Sequence, residues 1–482
     1  MGRPVSRTPD AAGRQDGTVQ PPTRPGRLAR WQSISGLDFH VLITLLFRGW
    51  GILAGGATMI LLPWRLNPVE QGYYYTFGSV LALQVFFELG LNQVVMQLVS
   101  HEAAHLEFTA DGHLQGDDAR LDRLGGLVRL MRRWYATAAL LFAAVATATG
   151  IVFFMRKGTL PPSQWLAVWA ILVGSTSLNL FLSPRLAMME GCGRVGQVAR
   201  LRLLQSMVGY GLLWSLLLAG VGLWVAVAVP TLAAVSTLWW LRTHGAPLQR
   251  LALRRPAVSA EVNWRRDVLP LQWRIAVSWA SGYFIFNLFT PIVFSHHGAV
   301  EAGRLGMAMS VFNAVTTVGL SWINAKAPAF TMHISRGESA ALDRLFRSVA
   351  LRSTLFTAAL AFAVVGVDWI ATRHGVAAAS RVAPTPVLFW LAWATVVNVV
   401  VYCAATYMRA HREEPMVPVS VLAGLLTVIA VCETASSDLA TMMMLYAAIS
   451  TFVALPWTAL LFRGYAKRHA QPHAPTTKPF PT

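Results

Sequence analysis

At 482 residues, 55% of them hydrophobic and only 13% charged, the chain is too apolar for an ordinary soluble enzyme. Its net charge of +18 would suit a nucleic-acid binder, but the charges are unevenly placed. Roughly 31 of the lysines and arginines fall in tails and loops on one side of a succession of apolar runs, about 6 on the other and about 3 within the runs. That is the positive-inside pattern of a multi-pass membrane protein, which argues against nucleic acid and rests the basic side against anionic membrane lipids.

Residues 1–37 are rich in Pro, Gly and Arg and hold no apolar run, which predicts a disordered basic cytoplasmic tail with no cleavable signal peptide. Twelve spans follow, at 40–62, 73–99, 134–154, 164–183, 203–220, 223–241, 273–294, 303–328, 349–370, 385–408, 417–434 and 439–462. The expected fold is therefore all-α: a polytopic membrane protein of about 12 transmembrane helices in two six-helix lobes. Residues 38–241 form the N-lobe, 242–272 a cytoplasmic linker, 273–462 the C-lobe and 463–482 a second cytoplasmic tail. The loop 114–133 mixes acids, bases and leucines in a helical rhythm, predicting an amphipathic helix on the inner surface. Trp64, Trp165, Trp239, Trp240, Trp273 and Trp457 stand near span ends, as an aromatic belt would. Pro63, Pro230, Pro291 and Pro328 stand in or at the ends of spans, as hinges or as static kinks. Cys192, Cys403 and Cys432 lack CxxC spacing and are expected as small apolar packers, with neither disulfide nor metal.

The sequence also repeats itself. Val69-Glu70-Gln71-Gly72 returns as Val300-Glu301-Ala302-Gly303, Leu121-Asp122-Arg123-Leu124 as Leu342-Asp343-Arg344-Leu345, and Thr137-Ala138-Ala139-Leu140 as Thr357-Ala358-Ala359-Leu360. Three matches in one order, at offsets of about 231, 221 and 220 residues, describe a duplication. Six spans is an even number, so both halves enter the membrane in the same sense and are related by a pseudo-two-fold along its normal. In transporters so built the substrate site lies between the halves.

Leu62-Pro63, Glu70-Gln71-Gly72-Tyr73 and Glu88-Leu89-Gly90-Leu91 across spans 1 and 2, with Ala302-Gly303-Arg304-Leu305-Gly306, Ser321-Trp322, Lys326-Ala327-Pro328 and Phe330 in the second half, resemble a known family. They look like the polysaccharide and lipid-linked oligosaccharide (O-antigen type) flippases of the multidrug/oligosaccharidyl-lipid/polysaccharide exporter superfamily. The resemblance covers roughly 38–462 and leaves out both tails. It implies a V-shaped pair of lobes with spans 1, 2, 7 and 8 lining a cavity, in the cytoplasmic (inner) membrane of a bacterium. It implies export of an isoprenoid-pyrophosphate-linked glycan by alternating access, with cavity cations holding the pyrophosphate. Protons, sodium or the membrane potential are the candidate driving forces, polysaccharide-assembly proteins the candidate partners, and no cofactor is expected.

Ionisable groups inside spans are costly and are kept where they face a partner, a cavity or a pathway. Arg48 lies about 12 Å into span 1 and Glu88 at a similar depth in span 2. Arg48 offers a planar fork for phosphate oxygens, and Glu88 would release it or carry a coupling proton. Alternatively the two brace their helices as an ion pair, or Arg48 snorkels. Arg274 at the start of span 7 and Lys326 at the end of span 8 would complete a cationic mouth, although positive residues at such ends are also the topological norm. Gln84, Asn92, Gln93, Asn287, Asn313 and Asn324 are candidates for sugar hydroxyls or, equally, for helix-to-helix bonds.

His101-Glu102-Ala103-Ala104-His105 fits the H-E-x-x-H zinc pattern, with Glu107, Asp111 or His113 as conceivable third ligands. Its counterpart, His333-Ile334-Ser335-Arg336-Gly337, cannot bind metal in that way, so no metal is expected. A multidrug exporter of the same build would want more buried acids, and a sugar porter of the facilitator type would carry a Gly-rich turn where Ser100-His101-Glu102-Ala103 stands. A membrane glycosyltransferase or polymerase would need a sizeable outer loop. No such loop is present, so a transporter rather than an enzyme is expected.

Overall fold

Apolar runs in hydrocarbon must satisfy their own N–H and C=O groups, and these do so as helices. The computed structural model describes residues 39–104, 106–108, 114–253, 269–411 and 415–469; the side chains of residues 39–48 and of Arg274 lie outside the described set, as do both tails' outer parts. The first half comprises α1 (Phe39–Arg65), α2 (Pro68–Leu81), α3 (Val85–Glu88), α4 (Leu91–Ala103), α5 (Asp118–Lys157), α6 (Pro162–Gly191), α7 (Val195–Ala219) and α8 (Ala228–His244). A short α9 (Ala246–Leu253) follows. The second half comprises α10 (Leu269–Phe286), α11 (Phe289–Gly319), α12 (Ser321–Ser335), α13 (Ser339–Arg373), α14 (Thr385–Ala410), α15 (Val417–Glu433), α16 (Leu439–Ile449) and α17 (Leu455–His469).

Among the described residues, eight helical stretches are long and apolar enough to cross a membrane, nine with the bent α2–α4 counted as one. One of the eight is the 57-residue stretch Trp279–Ser335. At 1.5 Å per residue it far exceeds a hydrocarbon core of about 30 Å, so it accounts for two crossings, spans 7 and 8. The expected turn SHHGAVEAG between them reduces to one non-helical residue, Gly298 (φ 85°, ψ 177°), a conformation open to glycine at little steric cost. With α1 and the shorter α15, the count returns to about twelve. Among the described residues the fold is all-α but for one antiparallel ribbon, β1 (Leu106–Phe108) with β2 (Leu114–Gly116), in register Leu106↔Gly116.

The packing plan repeats. Span 1 lies on span 5 and span 7 on span 11; span 3 lies on span 4 and span 9 on span 10; span 4 meets span 6 and span 10 meets span 12. Two six-helix lobes of like orientation result.

Two expectations are corrected here. The stretch 118–133 is not a separate surface helix: capped by the Asp117 side chain, it is the start of α5, a 40-residue helix that continues into the membrane. Its Leu121, Leu124, Leu127 and Met131 are buried, and Gly125 admits the carbonyl of Leu251 in α9. Trp165 is no belt residue but is fully buried against Phe154, and Trp240 is also buried; Trp64, Trp239 and Trp273 do project outward. The bend in span 2 is at no proline: α2–α3 and α4 meet at 43° across Leu89 (φ 49°) and Gly90 (φ 67°). Cys192 and Cys403 are buried and Cys432 exposed; burial pushes the Cys192 thiol, at the end of α6, up to about 11.

Candidate functional site

The lobes touch most closely near the ends of α1 and α2 remote from the basic loops, hereafter the far side. Asn67 caps α2, accepting from the Glu70 N–H while the Glu70 carboxylate accepts from the Asn67 N–H, which fixes where the helix begins. One turn on, Gly72 abuts the Ala299 carbonyl, and a Cβ on Gly303 would stand 2.8 Å from the Gly72 nitrogen. These glycines are the equivalent positions of the two repeats. An element that meets its own copy marks the axis relating the copies, so the pseudo-two-fold passes between Gly72 and Gly303. The Gln71 amide donates to the carbonyls of Gly303 and Arg381 (both 3.0 Å), and Arg381 donates to the Leu66 carbonyl at 2.9 Å. Tyr73 packs edge-on to Phe294 at 5.1 Å. The far side is sealed.

Toward the basic side the contacts become aromatic. Phe86 lies 5.1 Å from the Tyr283 ring and 5.5 Å from Phe284, and the Tyr283 hydroxyl donates to the Ser79 carbonyl. Beyond this level the two copies of the second span expose polar stripes. On α4 these are Gln93, Gln97 and Ser100; on α11–α12 they are Asn313, Thr317, Ser321, Thr331 and Ser335, with Asn324 half-buried among them. Each set recurs at helical spacing. At the repeat offset of about 231, Gln93, Gln97 and Ser100 correspond to Asn324, Pro328 and Thr331. Exposed amides and hydroxyls within a span face water or protein rather than acyl chains. One such stripe on each lobe gives the surfaces that a polar chamber between the lobes would use.

The expected site residues divide. Glu88 ends α3 at the bend and accepts a hydrogen bond of 2.7 Å from the Asn92 amide. The same amide donates to Ser183 of α6, and the Asn92 carbonyl accepts from Tyr135 of α5 at 2.9 Å. Asn92 is thus spent on bonds within the N-terminal half, and Glu88 is tied to three helices through it. No cation stands within ion-pair distance of Glu88 among the described residues; the Arg48 side chain, its expected partner, lies outside them. Asn287 occupies the non-helical break between α10 and α11, half-exposed, its N–H bonded to Tyr283 beside the aromatic contact. Lys326 is exposed, but helical spacing sets it about 140° around α12 from Ser321, away from the stripe. Arg274 begins span 7 on α10, its side chain outside the described set.

Sequence reasoning missed Arg185 and Arg132. Arg185 was assigned to a loop, yet α6 runs on to Gly191, which puts its guanidinium within the helix, half-buried and 4.5 Å over the Phe181 ring. Its charged neighbour is Arg132 of α5, a like charge. The signal was present in the sequence: an uninterrupted helical pattern from Pro162 through Pro184, with no loop residue before Gly191. Glu102 of the H-E-x-x-H pattern is held by Arg120 at 3.5 Å and Arg123 at 3.4 Å; His105, Asp111 and His113 lie outside the described residues.

No family model and no curated protein matches the sequence. Solved structures do match. An inward-facing multidrug resistance MATE family transporter of the MOP superfamily superposes with a TM-score of 0.56 at 13% identity, over 90% of this chain and 97% of that one. The lipid II flippase MurJ, in an inward closed conformation, gives 0.54 at 9% identity over 89% and 90%. A MOP superfamily transporter from Pyrococcus furiosus, described as having a binding pocket of reversed polarity, gives 0.51 at 13% over 89% and 95%. The fold is that of the MOP superfamily transporters. That fold accounts for the paired lobes, and the described residues hold at least eight helical stretches long and apolar enough to cross a membrane.

Proposed function

We propose that the chain flips an isoprenoid-pyrophosphate-linked oligosaccharide, or a related polysaccharide precursor, across a bacterial inner membrane by alternating access. The reading is carried by the two stripes that flank the axis, because their exposed groups are uncharged amides and hydroxyls. Such groups match sugar hydroxyls and offer little to a cationic drug, which would want acids. The basic side is the cytoplasmic one, with both termini there. A glycan would enter from that side while the Gly72–Gly303 contact keeps the far side closed. Arg48 and Arg274 are assigned to the diphosphate, and Lys326, turned away from the stripe, is left out of that set. Arg132 and Arg185 add positive charge on the N-lobe. Glu88 sits at the bend, so a change in its protonation or its bond to Asn92 would act on the angle between α3 and α4; proton or sodium coupling enters there. The lobe limits at 38–241 and 273–462 belong to the same proposal.

The test is reconstitution. Vesicles containing the purified chain and a fluorescent undecaprenyl-pyrophosphate oligosaccharide are assayed for lipid made accessible to an impermeant glycosidase. Protein-dependent exposure of the oligosaccharide lipid is expected. Exposure no faster than in empty vesicles, with pumping of a cationic dye instead, would move the chain to the multidrug class.

A further inference from the structure

The lipid-facing surface of the N-terminal half holds a groove that the chamber does not use. It runs between α7 and α8 at their basic ends and encloses about 520 Å³. Arg200 and His244 stand at its mouth, Trp239 beside them, and Leu204, Val208 and Leu232 line it deeper in. From Arg200 to Val208 is about 12 Å along the helix, most of one leaflet's half of a hydrocarbon core of about 30 Å. Leu204 is 61% exposed, Val208 49% and Trp239 66%, so the walls open onto the outer, acyl-chain-contacting surface rather than a packed interior.

The floor is polar but saturated. The Gln205 amide donates to the Ala233 carbonyl, Ser236 and Thr237, at 3.2, 2.9 and 2.8 Å, leaving an apolar channel above it. His244 is fixed by stacking on Trp240, centroids 4.9 Å apart and 11° from parallel, with Nδ1 against the Trp240 carbonyl. Its other ring nitrogen is the one left to meet a ligand. No carboxylate stands among the described residues that line the groove. Positive charge at headgroup depth, an interfacial tryptophan and an apolar channel below form the complement of one molecule.

We propose that this groove is a binding site for an anionic phospholipid of the basic-side leaflet, with its phosphate on Arg200 and His244 and an acyl chain along Leu204, Val208 and Leu232. The site is separate from the chamber and stands or falls independently of the transport reading. The full chain, in vesicles of phosphatidylcholine containing a minor fraction of photoactivatable phosphatidylglycerol, is irradiated and the labelled peptides mapped. Labelling concentrated on α7 and α8 is expected. It should fall about tenfold in Arg200→Glu, which replaces a charge-assisted contact with repulsion. Leu232→Trp keeps every charge, fills the channel and should lower labelling from a probe placed in the acyl chain; it serves if the first variant does not fold. Equal labelling by a phosphatidylcholine probe, indifference to both substitutions, or protection of the groove by a second copy of the chain would overturn the proposal.

Discussion

Gly72→Ala should open the far side. A Cβ at this position runs into the Ala299 carbonyl, which is backbone and cannot rotate away, and the facing Gly303 is already within contact of Gly72. Forcing one methyl into a filled contact costs about 1–3 kcal/mol. Set against the equilibrium between sealed and separated lobes, that lowers the sealed fraction's advantage roughly 5- to 150-fold. The assay is a distance distribution between spin labels at Thr159 and Val376, exposed far-side positions on opposite lobes. The variant should gain a longer-distance population that the wild type lacks. Gly78→Ala is the matched control, since it lies on the same helix with nothing within 4 Å of its Cβ. That substitution should leave the distribution unchanged and stabilise the chain slightly, as Ala for Gly does in a helix. Identical distributions for the two variants would refute the placement of the axis at Gly72 and Gly303.

Other perturbations probe the remaining parts. Asn92→Leu strands the Glu88 carboxylate and should destabilise the purified protein by about 1–3 kcal/mol, read from denaturant titration; Tyr135→Phe should cost about 1 kcal/mol in the same assay. Leu89→Gly relieves a left-handed leucine worth about 1–2 kcal/mol and should be neutral or stabilising, whereas Leu89→Ile should be worse than wild type in the same titration. Arg48→Ala should abolish flipping while abundance and membrane insertion stay normal, and normal complementation by that variant would remove Arg48 from the site. Glu88→Gln should slow turnover more than binding; retention of the wild-type pH dependence would remove a proton role. A strong chelator should leave transport unchanged, because Glu102 is occupied by two arginines rather than poised for zinc.

Much of the fold was legible because the membrane allows few solutions. Apolar length gave the spans, and the two VEQG-like motifs the duplication. The reason those motifs survive as a pair was not legible: only the packed structure brings Gly72 onto Gly303. The bend at Leu89–Gly90 was hidden for a different reason. Proline is the usual warning of a broken span, and here a leucine takes the left-handed conformation that glycine would normally supply. The partnership of Glu88, Asn92, Tyr135 and Ser183 joins three spans, so no spacing rule within one segment could find it. Asn92, open in the sequence to sugar hydroxyls or to helix-to-helix bonds, takes the second role, its donors and acceptor all engaged. Arg185 was lost to a span boundary set at 183, eight residues short of the helix end at Gly191.

The contact at the axis has a consequence for how the two halves can drift apart. Elsewhere each copy of the duplicated ancestor is free to diverge, since its neighbours differ from those of its twin. At Gly72 and Gly303 each copy is the other's neighbour, so enlarging either residue injures both at once and no compensating change exists within one half alone. At this one pair of positions, therefore, a change in either copy is felt by both halves at once.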